Sequence, residues 1–512
     1  MRQFRILYAI MATAAATVLT NETVAQSVSL LHDVQRTALP VYTFADGIYL
    51  SNPAAMSYRD SVSLSSFNLN GNYLDMEKAV MEQTGTGHSL FTVEADSYMR
   101  LKTDGVAWGN ARFTTGQYRD IRWTDCIEYE RVAPYVLGDA VGGNLSTRQY
   151  AFSGGYSGRK DRWTFGAHAS YRAEVAYRNR DPRVKTIVSD LDINLGASFR
   201  VLAHHAVGLM GGINVYNQNC DLDFYNPIND IDTYTLTGLG TYYKRFMGNT
   251  NKNSGYSSIG FSVGAQWIPT LRKGLSGSVT YTRYRMEQQL RNFNNLTLGY
   301  SDNNLLNVSV GYTIGISRSV TLSPMLTGNL HSRTSTENLF GTSAGASYDK
   351  IGSRTPYTHD ISDLSLTCPV QLNWGQSYLT LTPQVKYDYD HERYKDPVRD
   401  LKVSHVTPGL HLDFSSITHG KWLWNGRLGG SYSIASPSTP VLTELDMDSE
   451  LAKCVMSNFE MLSADRMALN AGIGASCIIN GIVFSLSLDY ALCDYRDNGL
   501  SQGAAVTLGA KF

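Results

Sequence analysis

His204 and His205 stand side by side, six cysteines are scattered, and charged side chains recur at every second position of several segments. These are the residue types that could bind a metal, move a proton or hold a charged solute. A metal site needs three or four ligands at workable spacing, and the His204-His205 pair falls in a tight turn with no third ligand near it in sequence. It reads as a solvated turn. Cys126, Cys220, Cys368, Cys454, Cys477 and Cys493 lie far apart, without a CxxC pair or any metal-ligand spacing, so no metal and no cofactor is expected. Export would permit disulfides, but the pattern does not demand them. HExxH and Walker sequences are absent, and no Ser, His and polar orienter stand out as a triad, so an enzyme is not expected.

The charged residues belong to segments with a period of two. In 163–175 the odd positions Trp163, Phe165, Ala167, Ala169, Tyr171, Ala173 and Val175 are apolar, while His168, Arg172 and Glu174 fall on the even face. In 187–201 Asp190, Asp192 and Arg200 oppose Leu191, Ile193, Leu195 and Phe199; Lys386 and Asp388 oppose Val385 and Tyr387; Arg427 opposes Leu428. Such segments bury one face and wet the other. The polar faces carry both signs, so the spacing points to no ion selectivity and no anionic substrate. These side chains are expected to line an interior and to pair there.

The alternating segments run to about 11–16 residues, longer than the roughly 5–6 of a globular strand and enough for the roughly 9–11 of a tilted membrane strand. Short connections at 158–162, 202–205, 271–274, 318–319, 375–377, 415–420 and the Asn480-Gly481 turn alternate with long ones at 220–255, 331–360 and 436–463. Short turns on one rim and long loops on the other predict a transmembrane antiparallel up-and-down β-barrel, all-β, with short periplasmic turns and long extracellular loops. Counting back through the turns gives about 18 strands, within about 16–20. Alternation falters near Gly109-Asn110 and in 281–285, where bulges or misread boundaries are the two readings. Around the Asn480-Gly481 hairpin Cys477 faces Phe484 and Cys493 faces Ala468, so those two cysteines cannot pair across it. Trp163, Trp267, Trp374, Trp422 and Trp424 sit near tight turns on the outward register, where an interfacial girdle belongs.

Composition agrees. Charged residues make up 17% of 512, Gly numbers 45 and Tyr 32, against roughly 25% charged in soluble domains. Beyond the first thirty residues no run of 18 apolar residues exists, which excludes a helical membrane protein. Residues 1–25 read as a secretory signal peptide, with Arg2 and Arg5 before an apolar stretch and Thr23 and Ala25 at a cut before Gln26. Residues 26–60 then form a periplasmic or plug segment, and 61–512 the barrel. A formal charge of −1 on an exported chain argues against nucleic acid as a partner.

From Gly503 the chain alternates to its last residue, with Val506, Leu508, Ala510 and Phe512 on one face. It resembles the C-terminal strand of a bacterial outer-membrane barrel. That resemblance implies outer-membrane lipid and the barrel-assembly machinery as partners, with Leu508, Ala510 and Phe512 as the assembly signal. Asn52, Pro53 and Ala54, within Leu50-Ser51-Asn52-Pro53-Ala54-Ala55-Met56, resemble the Asn-Pro-Ala segment near the start of FadL-like transporters, in which the N-terminal stretch plugs the barrel; a plain Asn-Pro turn into the first strand reads equally well. With the block Trp108-Gly109-Asn110-Ala111-Arg112-Phe113-Thr114-Thr115-Gly116, the chain resembles an uncharacterised Bacteroidota outer-membrane β-barrel family, which brings no known substrate. A cylinder of this width is a water channel or is plugged. The expected function is therefore a channel or transporter for an unidentified solute, in the outer membrane after export. The alternatives are a structural or ligand-binding barrel that displays its loops to a surface partner and, last, a lipid-modifying enzyme.

Overall fold

The computed structural model describes residues 24–102, 104–226, 231–247, 253–342 and 348–512, with side chains from residue 29 onward. The expected signal peptide lies almost wholly outside them. Period-two patterning of polar against apolar residues makes long strands that bury one face each, and 18 of them close into an antiparallel barrel. They are β1 (Leu64–Met76), β2 (Gly87–Arg100), β3 (Gly105–Ile121), β4 (Gly143–Lys160), β5 (Trp163–Tyr177) and β6 (Arg183–Leu202). Then come β7 (His205–Asp223), β8 (Asn253–Pro269), β9 (Gly274–Leu290), β10 (Leu296–Gly315), β11 (Val320–Leu322 resuming at Met325–Phe340) and β12 (Lys350–Thr367 resuming at Val370–Trp374). Last are β13 (Ser377–Tyr394), β14 (Arg399–Thr418), β15 (Trp422–Ala435 with Val441–Leu442), β16 (Arg466–Ile479), β17 (Ile482–Asp494) and β18 (Leu500–Lys511).

Each strand pairs with its successor, and β1 pairs with β18 from Ser66 opposite Lys511 to Met76 opposite Ser501. Backbone bonds of 2.8 and 3.0 Å between Ser65 and Phe512 finish the seam. Among the described residues the barrel sheet has no open edge. The Asn480-Gly481 turn has positive φ at both residues, 50° and 79°, as a type I′ hairpin requires, and Cys477 faces Phe484 while Cys493 faces Ala468. Large apolar side chains such as Phe165, Leu195, Leu209, Phe261 and Leu508 are exposed on the outward register and make a continuous belt. Trp163, Trp374, Trp422 and Trp424 are exposed on it near the tight-turn rim, and Trp267 is half-buried there against His205.

Three expectations are corrected. The 331–360 connection is mostly strand, because β11 continues to Phe340 and β12 begins at Lys350. Both of its faces are polar there: Arg333, Ser335 and Glu337 are buried inward, while Ser332 Oγ bonds Asp360 Oδ1 at 2.7 Å on the outer side. No bulge occurs at Gly109-Asn110 or in 281–285, where the register is continuous. Arg285 instead pairs with Asp302 on the outer face at 2.9 Å, since β9 there has passed the apolar belt. The turn expected at 415–420 is shorter, because β14 runs on to Thr418.

Candidate functional site

The barrel interior is occupied at both ends by segments of its own chain. At the tight-turn end a helix over Val24–Thr37 packs Leu31 and Val34 against Ile417, Leu423 and Val483. Its Gln35 Nε2 donates to Gln376 O, in the turn between β12 and β13, at 3.1 Å. The chain then crosses the mouth through a short helix, Asp46–Leu50, and a 3₁₀ turn, Pro53–Tyr58. Asn52 begins this turn: its Oδ1 accepts from Ala54 N at 2.9 Å, and its Nδ2 donates to Leu209 O at 3.3 Å. Three barrel glycines, Gly166, Gly196 and Gly208, make room for it, since a Cβ at any of them would collide with Pro53, Ala54 or Asn52. Around the rim Arg272 bonds Asp46, Arg59 O and Tyr42 O, Tyr49 Oη donates to Pro269 O at 2.8 Å, and Tyr98 Oη donates to Met56 O at 2.7 Å. Asn52, Pro53 and Ala54 are thus fully buried at the centre of an interior segment.

At the long-loop end the connection over residues 122–142 folds inward as a strap. Charge pairs hold it to opposite walls. Arg131 bonds Asp190 at 2.8 Å and Asn214 Oδ1 at 2.7 Å, and lies 3.8 Å over the Tyr216 ring. Arg172 reaches Glu128 at 2.7 Å and both Glu174 and Asp190 at 3.2 Å. Arg178 and Asp139, both buried, pair at 2.7 Å, while from the far wall Arg333 donates to Glu130 O at 2.7 Å. Burial drives the phenol of Tyr129, within the strap, well above its ordinary pKa. Strap residues Val136–Gly138 also pair with Tyr234–Gly238, which pairs in turn with Thr241–Tyr242. The long 220–255 connection therefore contributes to the interior as well. A helix over Glu450–Leu462, capped by Ser449, packs Leu451 and Cys454 into the same cluster as Trp123, Val132 and Tyr216.

Beneath this roof lies a cavity of about 940 Å³. Its wall on β11 to β13 is polar: His359 bonds Asp390 at 2.8 Å, Tyr357 Oη donates to Glu392 at 2.7 Å, and His331 and Arg333 share Asn303 Oδ1 at 2.9 and 2.8 Å. Its roof is largely apolar, with Pro134, Leu236, Leu239, Leu451 and Phe459 among the lining residues beside Glu130, Arg131 and Asn458. Two further interior cavities, about 600 and 590 Å³, meet at Asn68, Thr507 and Lys511; the first runs along β1 to β5, and the second along β13 to β18 beside the N-terminal segment.

Of the residues singled out from sequence, the fold gathers Arg172, Glu174 and Asp190 into the cluster that holds the strap, and Asp388 lines the large cavity. His168 faces inward and stacks on Trp108 at 6.2 Å, and Asp192 accepts from Asn194. Lys386 pairs with Asp388 at 2.5 Å and Arg427 with Asp489 at 3.4 Å, while Arg200 donates to Asp161 O at 3.1 Å near the tight-turn rim. These last are spread around the wall rather than brought together. Leu508 and Ala510 share the outward face of β18, and the exposed Phe512 follows directly after the strand. His204 is exposed in its turn. Arg131, Arg333, Glu392 and the strap itself had no local signal; they are defined only by partners remote in sequence.

No curated protein matches the chain. Among solved structures it is similar to BauA, the ferric preacinetobactin receptor from Acinetobacter baumannii, at 8% identity over 88% of this chain and 80% of that one, TM-score 0.37. It is similar to the copper transporter OprC at 10% identity over 87% and 81%, TM-score 0.37. A Pseudomonas aeruginosa FadL homologue matches at 13% identity over 90% and 92%, TM-score 0.32. A family model matches residues 53–512, from Pro53 of the interior segment through all 18 strands, and the chain accordingly belongs to the family of unknown function DUF6850.

Proposed function

We propose that this protein is a plugged outer-membrane transporter, with the tight turns in the periplasm and the strap end facing outward. The observation that supports the reading best is the cavity of about 940 Å³ between a largely apolar roof and a wall carrying His359, Asp390, Glu392 and Arg333. Its size falls within the roughly 300–1,000 Å³ of sites for small organic ligands. A solute with a polar group for that wall and an apolar part for the roof is the class it would accept. The apolar belt supports insertion in a bilayer, whose lipid would be the protein's surrounding partner. Its role is binding and passage, with no catalytic step. Display of long loops to a surface partner is the weaker reading, because much of the 220–255 connection is turned into the lumen.

Purified protein in liposomes should take up some member of a panel of zwitterionic and amphiphilic solutes with saturation, and Asp390→Asn should raise the half-saturating concentration. Folded protein that shows neither uptake nor conductance, with residues 24–60 present or removed, would exclude transport.

A further inference from the structure

Where the strap leaves β3, three side chains with metal-binding chemistry meet out of contact with water: Asp125, Cys126 and Cys220, exposed by 1%, 0% and 1%. Their ligand atoms all lie within 4.8 Å of one another. Cys126 Sγ is 3.6 Å from Cys220 Sγ and 3.1 Å from Asp125 Oδ1. Two thiolates about 2.3 Å from one tetrahedral zinc ion sit about 3.8 Å apart, whereas the sulfurs of a disulfide are about 2.0 Å apart. The observed spacing matches a shared ion.

The carboxylate supplies an independent argument. A buried carboxylate ordinarily has a cation or a metal beside it. Asp125 Oδ2 accepts from Ser254 Oγ at 2.5 Å and Oδ1 from the Cys126 thiol, and no guanidinium, ammonium or imidazole is among its partners in the described residues. The surrounding groups orient the ligands as the neighbours of a metal site do. Ser254 fixes the carboxylate, and Gln218 Nε2 donates to Cys220 Sγ at 3.3 Å.

We propose that Asp125, Cys126 and Cys220 bind a thiophilic divalent cation, zinc(II) in the first instance, and that the ion pins the strap to β7. Binding displaces the two thiol protons to solvent and leaves both sulfurs as thiolates, with no change of oxidation state. The site fixes one foot of the strap irrespective of what the barrel carries.

Elemental analysis of the full chain, purified in detergent from zinc-replete cells, should find about one zinc per chain. Cys126→Ser and Cys220→Ser should fall to background, while Cys368→Ser, remote from the cluster, should retain the metal. Because the cluster variants could misfold, the wild type gives a second measurement: cobalt(II) added after chelation should produce a thiolate-to-cobalt absorption band in the near ultraviolet. Folded wild type with neither zinc nor the cobalt band overturns the proposal, as does a Cys126–Cys220 disulfide in the unreduced peptide mass spectrum.

Discussion

A missing side chain is the most consequential feature at the N-terminal seat. Asn52 closes its own turn onto Ala54 N, and the bare Cα of Gly196 leaves the space in which its Oδ1 lies. Gly196→Ala adds a Cβ that collides with that oxygen, and overpacking of this kind costs about 1–3 kcal/mol. The seat should loosen rather than the barrel, since β6 keeps its ladder to both neighbours. Hydrogen exchange should therefore quicken in residues 46–60 and stay slow in β5 to β7. Gly71→Ala, where an added Cβ would meet nothing within 4 Å, is the control and should change little. Equal exchange in the two variants would remove the glycine seat from the account.

The strap depends on charge, and its strongest single support is Arg172, which serves Glu128, Glu174 and Asp190 at once. Arg172→Met keeps the apolar length and leaves three carboxylates crowded together with only Arg131 to offset them. Removing one partner of a buried pair costs up to about 3–5 kcal/mol; with the Arg172 side chain 20% exposed, the lower part of that range applies. Proteolytic nicking within 122–142 should rise while the barrel survives, and an unchanged digestion pattern would show that other contacts hold the strap. Sequence revealed the walls but not the strap, for a physical reason. Trp163 to Val175 announces its faces by alternation because lipid lies on one side and polar interior on the other. Arg333 to Glu337 shows no such contrast, since the strand there has left the apolar belt, and a true strand reads as loop. Arg131 is legible only through Asp190 and Asn214, and Cys126 only through Cys220, 94 residues away. The turn at Asn480-Gly481 was readable because its constraint is local.

Considered as one body, the barrel holds two inward-folded segments, the N-terminal one at the tight-turn end and the strap with its small sheet and helix at the other, and on the proposed transport reading they act as closures in series. Resistances in series add, so the narrower remaining constriction governs the current. Gly196→Ala and Arg172→Met should each raise bilayer conductance only slightly, because the opposite closure still limits flow. Combined, they should raise it by more than the sum of the two separate increments. The two cavities that meet at Asn68, Thr507 and Lys511, one of them beside the N-terminal segment, define the competing case, since a lane past that segment that also bypassed the strap would put the closures in parallel. Parallel paths give additive increments. Single-channel recordings of the wild type, both single variants and the double variant distinguish the cases, provided each retains heat-modifiable migration as evidence of an intact barrel. Excess in the double variant supports a gated lumen with a closed chamber between its gates, whereas simple additivity would make the large cavity a side pocket rather than a station on the route.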